Sequence, residues 1–189
     1  MRAALLVEAG KPLVLCDDVE IGEPKAGQVR VRVQHCGVCH SDLSIVDGTF
    51  PSPMPVILGH EAAGVVDAVG PDVTHLAPGD HVVLTPLAPC GTCYFCLRDE
   101  PGVCVNSSAI TTSTLPDGTT GLARGGATVW RGVGLGAFAE YVLTPASGAV
   151  KIAPDVPLDV ACVIGCAVQT GVGAVLNTPR VEPGATVLV

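Results

Sequence analysis

CGTCYFCLRDEPGVC, residues 90 to 104, sets four cysteines at spacings of two, two and seven intervening residues. No other stretch restricts the fold so tightly, because four thiols this close must share disulfides, a cluster or a single ion. Nine cysteines, an odd number, cannot all pair. In a chain that reads as cytosolic, reduced thiols favour metal over disulfides. A four-iron cluster shares the C-x2-C-x2-C opening. The bacterial ferredoxin pattern, however, continues with three residues and a Cys-Pro, whereas here seven intervene and Val105 follows. Zinc fits best: Cys90, Cys93, Cys96 and Cys104 as thiolates would close a tetrahedron with no open position, a structural site rather than a reactive one.

The remaining numbers narrow the function. At 189 residues the chain can bury one domain core and is short for two. A formal net charge of −8 and no basic cluster argue against a nucleic-acid partner. The apolar run at the N-terminus, Ala3 to Val7, is broken by Glu8 and is too short for a signal core or a span. PLDVACVIGCAVQTGVGAVLN is interrupted by Asp159, Gln169 and glycines, so no membrane association is expected and the chain reads as cytoplasmic. Mean hydropathy is high for a soluble chain, at +0.51, which suits a surface that has lost a covering domain.

Most of the chain to about residue 154 has strand patterning. QVRVRVQHC alternates, with Val29, Val31 and Val33 on one face and Arg30 and Arg32 on the other. EAAGVVDAVG, GDHVVLTPL and FAEYVLTP are further apolar runs bounded by Gly, Pro and Asp. One short helix should open at Ser41, with the serine as its N-cap, and a longer one should run from Asp159 into Leu176. Residues 105 to 137 read as a long polar, glycine-rich loop, functional or mobile. VEPGATVLV reads as a turn into a buried strand, as though a further domain were just beginning.

Three other stretches look chemical. CGVCHSD (36–42) holds Cys39, His40, Ser41 and Asp42; ILGHEAAG (57–64) holds His60 and Glu61; IGCAVQTG (164–171) holds Cys166 and Thr170. Each alone is weak, since a single His or Cys is more often a core residue than a ligand. Taken together, Cys39, His60 and Cys166 make a Cys2His set that would leave one tetrahedral position open. His35, His75 and His81 read as structural, and Cys16, Cys36 and Cys162 as buried small apolar residues.

GVCHSD, LGHEAAGVV, the four-cysteine lobe, GAFAEYV and GCAVQTG occur in an order that resembles the zinc-dependent medium-chain alcohol dehydrogenases. The resemblance implies a mainly β, GroES-like catalytic domain with short helices over residues 1–155. Residues 156–189 would then be a connecting helix and at most the first strand of a Rossmann domain. It also implies two zinc ions, a catalytic one on Cys39, His60 and Cys166 and a structural one in the lobe. Ser41 would take the alcohol proton and Asp42 would orient the ligand histidine. Glu61 would be a nearby acid able to approach the metal. His40 would contact the cofactor pyrophosphate and Thr170 would pack on the nicotinamide. NAD or NADP would serve the full-length parent, expected to be a homo-oligomer acting on a small alcohol or aldehyde.

Two departures stand out. Ser44 occupies a position where several family members carry a proton-relaying histidine, which points to a water relay or to the branch handling S-hydroxymethyl thiol adducts. No G-x-G-x-x-G follows a strand: GVGLGA (132–137) leaves a loop, and TGVGAVL (170–176) lies inside the expected helix. The chain alone is therefore expected to be inactive in hydride transfer. Two other readings are a non-catalytic zinc-binding module and a zinc hydrolase with Glu61 as general base.

Overall fold

The valine alternation at residues 29–33 builds the centre of the molecule. The computed structural model describes residues 1–177, 181, 182 and 184–188. In chain order the elements are β1 (Ala3–Leu6), β2 (Val14–Cys16), β3 (Glu20–Ile21), β4 (Gln28–Gly37), α1 (His40–Val46), β5 (Val56–Ile57), β6 (Glu61–Val69), β7 (His81–Leu84) and α2 (Ala109–Thr112). There follow β8 (Leu122–Arg124), β9 (Ala127–Thr128), β10 (Trp130–Arg131), β11 (Tyr141–Pro145), β12 (Ala149–Lys151), α3 (Leu158–Ala161) and α4 (Ala167–Asn177). The fold is mainly β with short helices, as the sequence implied.

Five strands in the order β11-β4-β6-β7-β12 form the main antiparallel sheet. Val29 and Val31 are fully buried on one face, against Val66, Val82, Leu84, Leu135 and Val142. Arg30 turns outward and ion-pairs with Glu23 and Asp67. On the other face Ala63 and Val83 meet Ala161, the last residue of α3, and Cys162 just after it. A four-stranded sheet, β10-β5-β1-β2, carries Leu6, Val56 and Leu58, which pack on Ile45 of α1. That contact fixes α1 against the end of β6, where His60 and Glu61 lie.

The structure corrects the sequence reading in several places. The helix expected from Asp159 into Leu176 is broken: α3 passes into a 3-10 turn at Cys162–Gly165, Cys166 takes a non-helical conformation (φ −138°, ψ −74°), and α4 starts at Ala167. Gly165, the last residue of that turn, lies so close to the Leu84 carbonyl that no Cβ would fit there, which seats the turn against β7. Ser41 is not a cap; Cys39 holds that position and helical geometry starts at His40.

Residues 105 to 137 are not one featureless loop. They hold α2, β8, β9 and β10; β8 and β9 join β3 in a three-stranded sheet, and the turn leading into β8 is secured by the Asp117 and Thr120 side chains. Cys16 and Cys162 are buried as expected, whereas Cys36 is only half-buried. The terminal strand does not form over residues 184–188, where Val187 and Leu188 are exposed and find no neighbouring strand; Val189 lies outside the described residues. Among the described residues no single helix is long and apolar enough to cross a membrane. The pair Leu158–Gly165 and Ala167–Asn177, bent by 53°, meets length and composition only together.

At Gly64, on β6 beside β4, any Cβ would strike the Arg32 carbonyl. Gly64→Ala should therefore destabilise the chain by about 1–3 kcal/mol, read as a lowered urea midpoint at unchanged slope.

Candidate metal centres

Among the described residues, two groups place ligand atoms within 4.8 Å of one another: Cys90, Cys93, Cys96 and Cys104, and Cys39, His60, Glu61 and Cys166. Sequence spacing alone predicts the first. In the second, three separate stretches of chain converge.

In the lobe, Sγ separations are 4.0 Å for Cys90–Cys96, 3.6 Å for Cys93–Cys96 and 3.9 Å for Cys93–Cys104. A tetrahedron with Zn–S bonds of about 2.3 Å has edges of about 3.8 Å, so the four sulfurs already lie where a zinc ion needs them. A disulfide would need sulfurs about 2.05 Å apart, and every cysteine is free. Backbone N–H groups of Thr92 and Cys93 donate to Cys90 Sγ, as does the Asn106 amide. These bonds, that from Thr92 first, draw the Cys90 thiol down to about 5. Cys93 is lowered too, chiefly by the Cys96 N–H. Burial and the neighbouring thiols push Cys96 up to about 11. The peptide loops thus favour thiolate, the form that binds metal, at two of the four positions before any ion is considered.

The second centre is built around Asp42, which is 2% exposed. Its Oδ2 accepts the Cys39 N–H (3.1 Å), and its Oδ1 accepts the Gly59 N–H (2.9 Å) and lies 3.2 Å from His60 Nδ1. One carboxylate therefore caps α1, fixes the turn before β6 and orients the imidazole, leaving His60 Nε2 for the cluster. Burial disfavours charge on His60, but the Asp42 and Cys39 contacts outweigh it and raise its pKa. Burial likewise works against the Cys39 thiolate, yet hydrogen bonds from Ser41 and His60 leave the thiol lowered. Burial, with the charge of Cys39, pushes Cys166 up to about 11. Two sulfurs, one imidazole and a carboxylate suit zinc, and the donor set fits that ion.

The break between α3 and α4 is what delivers Cys166, since an unbroken helix would aim it elsewhere. Glu61 is 4% exposed and lies inside the cluster, closer to a ligand than to an outer acid. Gly37, which sequence reasoning missed, lies against the Glu61 carboxylate, and a Cβ there would collide with it. Ser41 Oγ is 3.8 Å from Cys39 Sγ. His40 is exposed, with Nδ1 3.3 Å from Ser44 Oγ. Thr170 is exposed on α4, its N–H bonded to the Cys166 carbonyl. Neither His40 nor Thr170 belongs to the ligand cluster.

Ser41 also opens a cleft of about 440 Å³ walled by Ile45, Phe50, Ile110 and Val133, with Ser52, Thr111 and Ser113 on its polar side. No charged side chain lines it. The sequence reading missed this wall because its far side comes from residues 105–137, which carry no periodic signal.

The chain belongs to the alcohol dehydrogenase GroES-like domain family, whose model matches residues 25–155. It is 40% identical over 187 residues to an alcohol dehydrogenase class-3 of Myxine glutinosa, covering 98% of this chain and 50% of that protein. An S-(hydroxymethyl)glutathione dehydrogenase of Escherichia coli is 40% identical over 190 residues, covering 100% of this chain and 51% of that protein. Among solved structures, an alcohol dehydrogenase zinc-binding domain protein from Burkholderia ambifaria aligns with a TM-score of 0.86 at 39% identity, covering 94% of this chain and 48% of that one. Benzyl alcohol dehydrogenase from Acinetobacter calcoaceticus aligns with a TM-score of 0.85 at 34% identity, covering 96% and 49%. The chain thus spans about half the length of the curated relatives it matches.

Asp42→Asn should weaken metal binding at the second centre by about 10–100-fold while sparing the lobe, as competition with a chelator would measure. Cys104→Ser should do the reverse, removing about one zinc per chain with the second centre retained, read by elemental analysis.

Proposed function

We propose that this chain is the zinc-binding half of a dehydrogenase that oxidises a primary alcohol, with hydride passing to NAD or NADP held by a companion domain. The observation that carries this reading is the meeting of Cys39, His60 and Cys166 close to Ser41, whose Oγ lies 3.8 Å from Cys39 Sγ and which lines an uncharged, mostly apolar cleft. Zinc on that set would supply Lewis acidity, which lowers the pKa of an alcohol hydroxyl by several units. The residues do the rest. Asp42 holds His60 in one orientation, the cleft seats the alkyl part and excludes water, and Ser41 Oγ receives the hydroxyl proton.

His40 and Thr170 are the proposed cofactor contacts, at the pyrophosphate and the nicotinamide. Residues 1–155 form the proposed catalytic domain, and 156–189 the connection to its companion. Hydride transfer needs nicotinamide against the reacting carbon, so the chain alone is expected to be inactive in that step. In this reading the parent is a cytoplasmic homo-oligomer.

An S-hydroxymethyl thiol adduct is a second substrate class, supported by the name of the Escherichia coli relative. The uncharged lining favours a neutral apolar alcohol over a charged thiol adduct.

Cobalt in place of zinc makes the test visible. The absorption of the cobalt-loaded chain should shift when benzyl alcohol is added, because at the second centre an alcohol oxygen could take the place of the Glu61 carboxylate, whereas the four thiolates of the lobe leave no such place. Ser41→Ala should weaken the apparent affinity about tenfold at unchanged metal content. A chain that binds both ions yet answers no alcohol would be a zinc-binding module instead. Ester hydrolysis abolished by Glu61→Gln would favour the hydrolase.

A further inference from the structure

Among the described residues Arg131 is the largest fully buried side chain, at 0% exposure. A buried guanidinium is costly unless its donors are met. Here they go to carbonyls: Nε and Nη2 donate to the Gly134 oxygen at 3.3 and 3.1 Å, and Nη1 to the Thr120 oxygen at 3.3 Å. Burial lowers its pKa to about 10, so it stays charged near neutrality. A leucine or methionine would fill the same volume without that cost. The rigid fork of donors is what an aliphatic side chain lacks.

Those bonds hold an unusual turn. Val133, between Arg131 and Gly134, has φ 49° and ψ 31°, a left-handed conformation rare for a β-branched residue. Strain of this kind persists only where the surroundings over-determine it. Val133 lines the cleft that begins at Ser41. Its neighbour Gly134 lies against Ala109 of α2, where a Cβ would come within 3.0 Å of the alanine Cβ. The same short helix supplies Ile110 and Thr111 to the wall of that cleft.

We infer that Arg131 is a positioning residue for the cleft: its buried guanidinium fixes the 132–134 turn and, through the Gly134–Ala109 contact, α2, and so sets how long a substrate chain the cleft accepts. The inference deepens the alcohol reading and rests on it. Arg131 touches no substrate; it acts through Val133 and Ile110.

The test uses the whole cobalt-loaded chain as wild type, Arg131→Met and Arg131→Lys. Linear primary alcohols from ethanol to octanol are titrated, with visible absorption as the readout. In the wild type, affinity should rise with each added methylene. Arg131→Met should bind ethanol as the wild type does but octanol about tenfold more weakly, a loss of length discrimination that general destabilisation would not produce. Arg131→Lys can reach one carbonyl but not both, so it should fall between the two.

Amide exchange is the second readout. It should accelerate about tenfold at residues 109–113 and 132–135 in Arg131→Met, with no change in β4 and β6. Wild-type length dependence in both variants, or unchanged exchange at both segments, would overturn the inference. If no alcohol shifts the wild-type spectrum, the alcohol reading fails, and exchange alone decides whether Arg131 holds the wall. If Arg131→Met does not fold, a Lys variant indistinguishable from wild type in both readouts is the overturning result.

Discussion

One buried carboxylate holds the second metal centre together. Asp42 bonds the Cys39 N–H, the Gly59 N–H and His60 Nδ1, three groups from two segments that the apolar core alone would not bring into register. A carboxylate at 2% exposure is tolerated only when its lone pairs are filled, and here both oxygens are used. The same bonds hold the start of α1, the start of β6 and the imidazole, so a change at this residue alters three distances together. Core packing of Ile45 against Leu6, Val56 and Leu58 brings α1 close enough for the carboxylate to reach.

The two centres reach their geometry by different routes. In the lobe all four ligands lie within one short segment, and turns such as those donating to Cys90 Sγ shape the site locally. At the second centre the ligands are distant in sequence and need the sheet. Cys39 comes from the end of β4, His60 from the turn before β6, and Cys166 from the kink beyond α3. Local ligands suit a site whose work is to stabilise a small lobe. The second centre's donors, Glu61 included, are placed by the sheet and the kink rather than by local turns.

This difference also decides what could be read from the sequence. The lobe was legible as a spacing, and β4, β6, β7 and β11 as alternation. The Cys39–His60–Cys166 grouping was legible only through the order of motifs along the chain, because no periodicity links them. The helix break at Cys166 was not legible: the apolar run from Val160 to Leu176 contains no proline, and the close approach of Gly165 to the Leu84 carbonyl, which seats the turn before it, is to a residue far away in sequence. Ser41 looked like a cap because serine usually is one; tertiary contacts of Asp42 moved the helix start to Cys39 instead. The wall formed by Ile110 and Val133 was hidden in residues whose order comes from a buried arginine rather than from a pattern.

The kink at Cys166 has a consequence for α4. None of its residues is buried, and Val168, Val172, Val175 and Leu176 are 43–63% exposed. An isolated helix of this length gains little from propensity alone and is ordinarily held by burying one face. Its first turn is anchored instead by Cys166, whose carbonyl accepts the Thr170 N–H, and by Gln169, whose side chain reaches the Gly165 carbonyl. A metal ion on Cys166 would tighten that anchor. Val168, Val172 and Val175 lie from under one to about 2.5 helical turns beyond Cys166, with Thr170 on an exposed position between the first two. Cys166 thus belongs both to the ligand cluster and, through its carbonyl, to the first turn of α4.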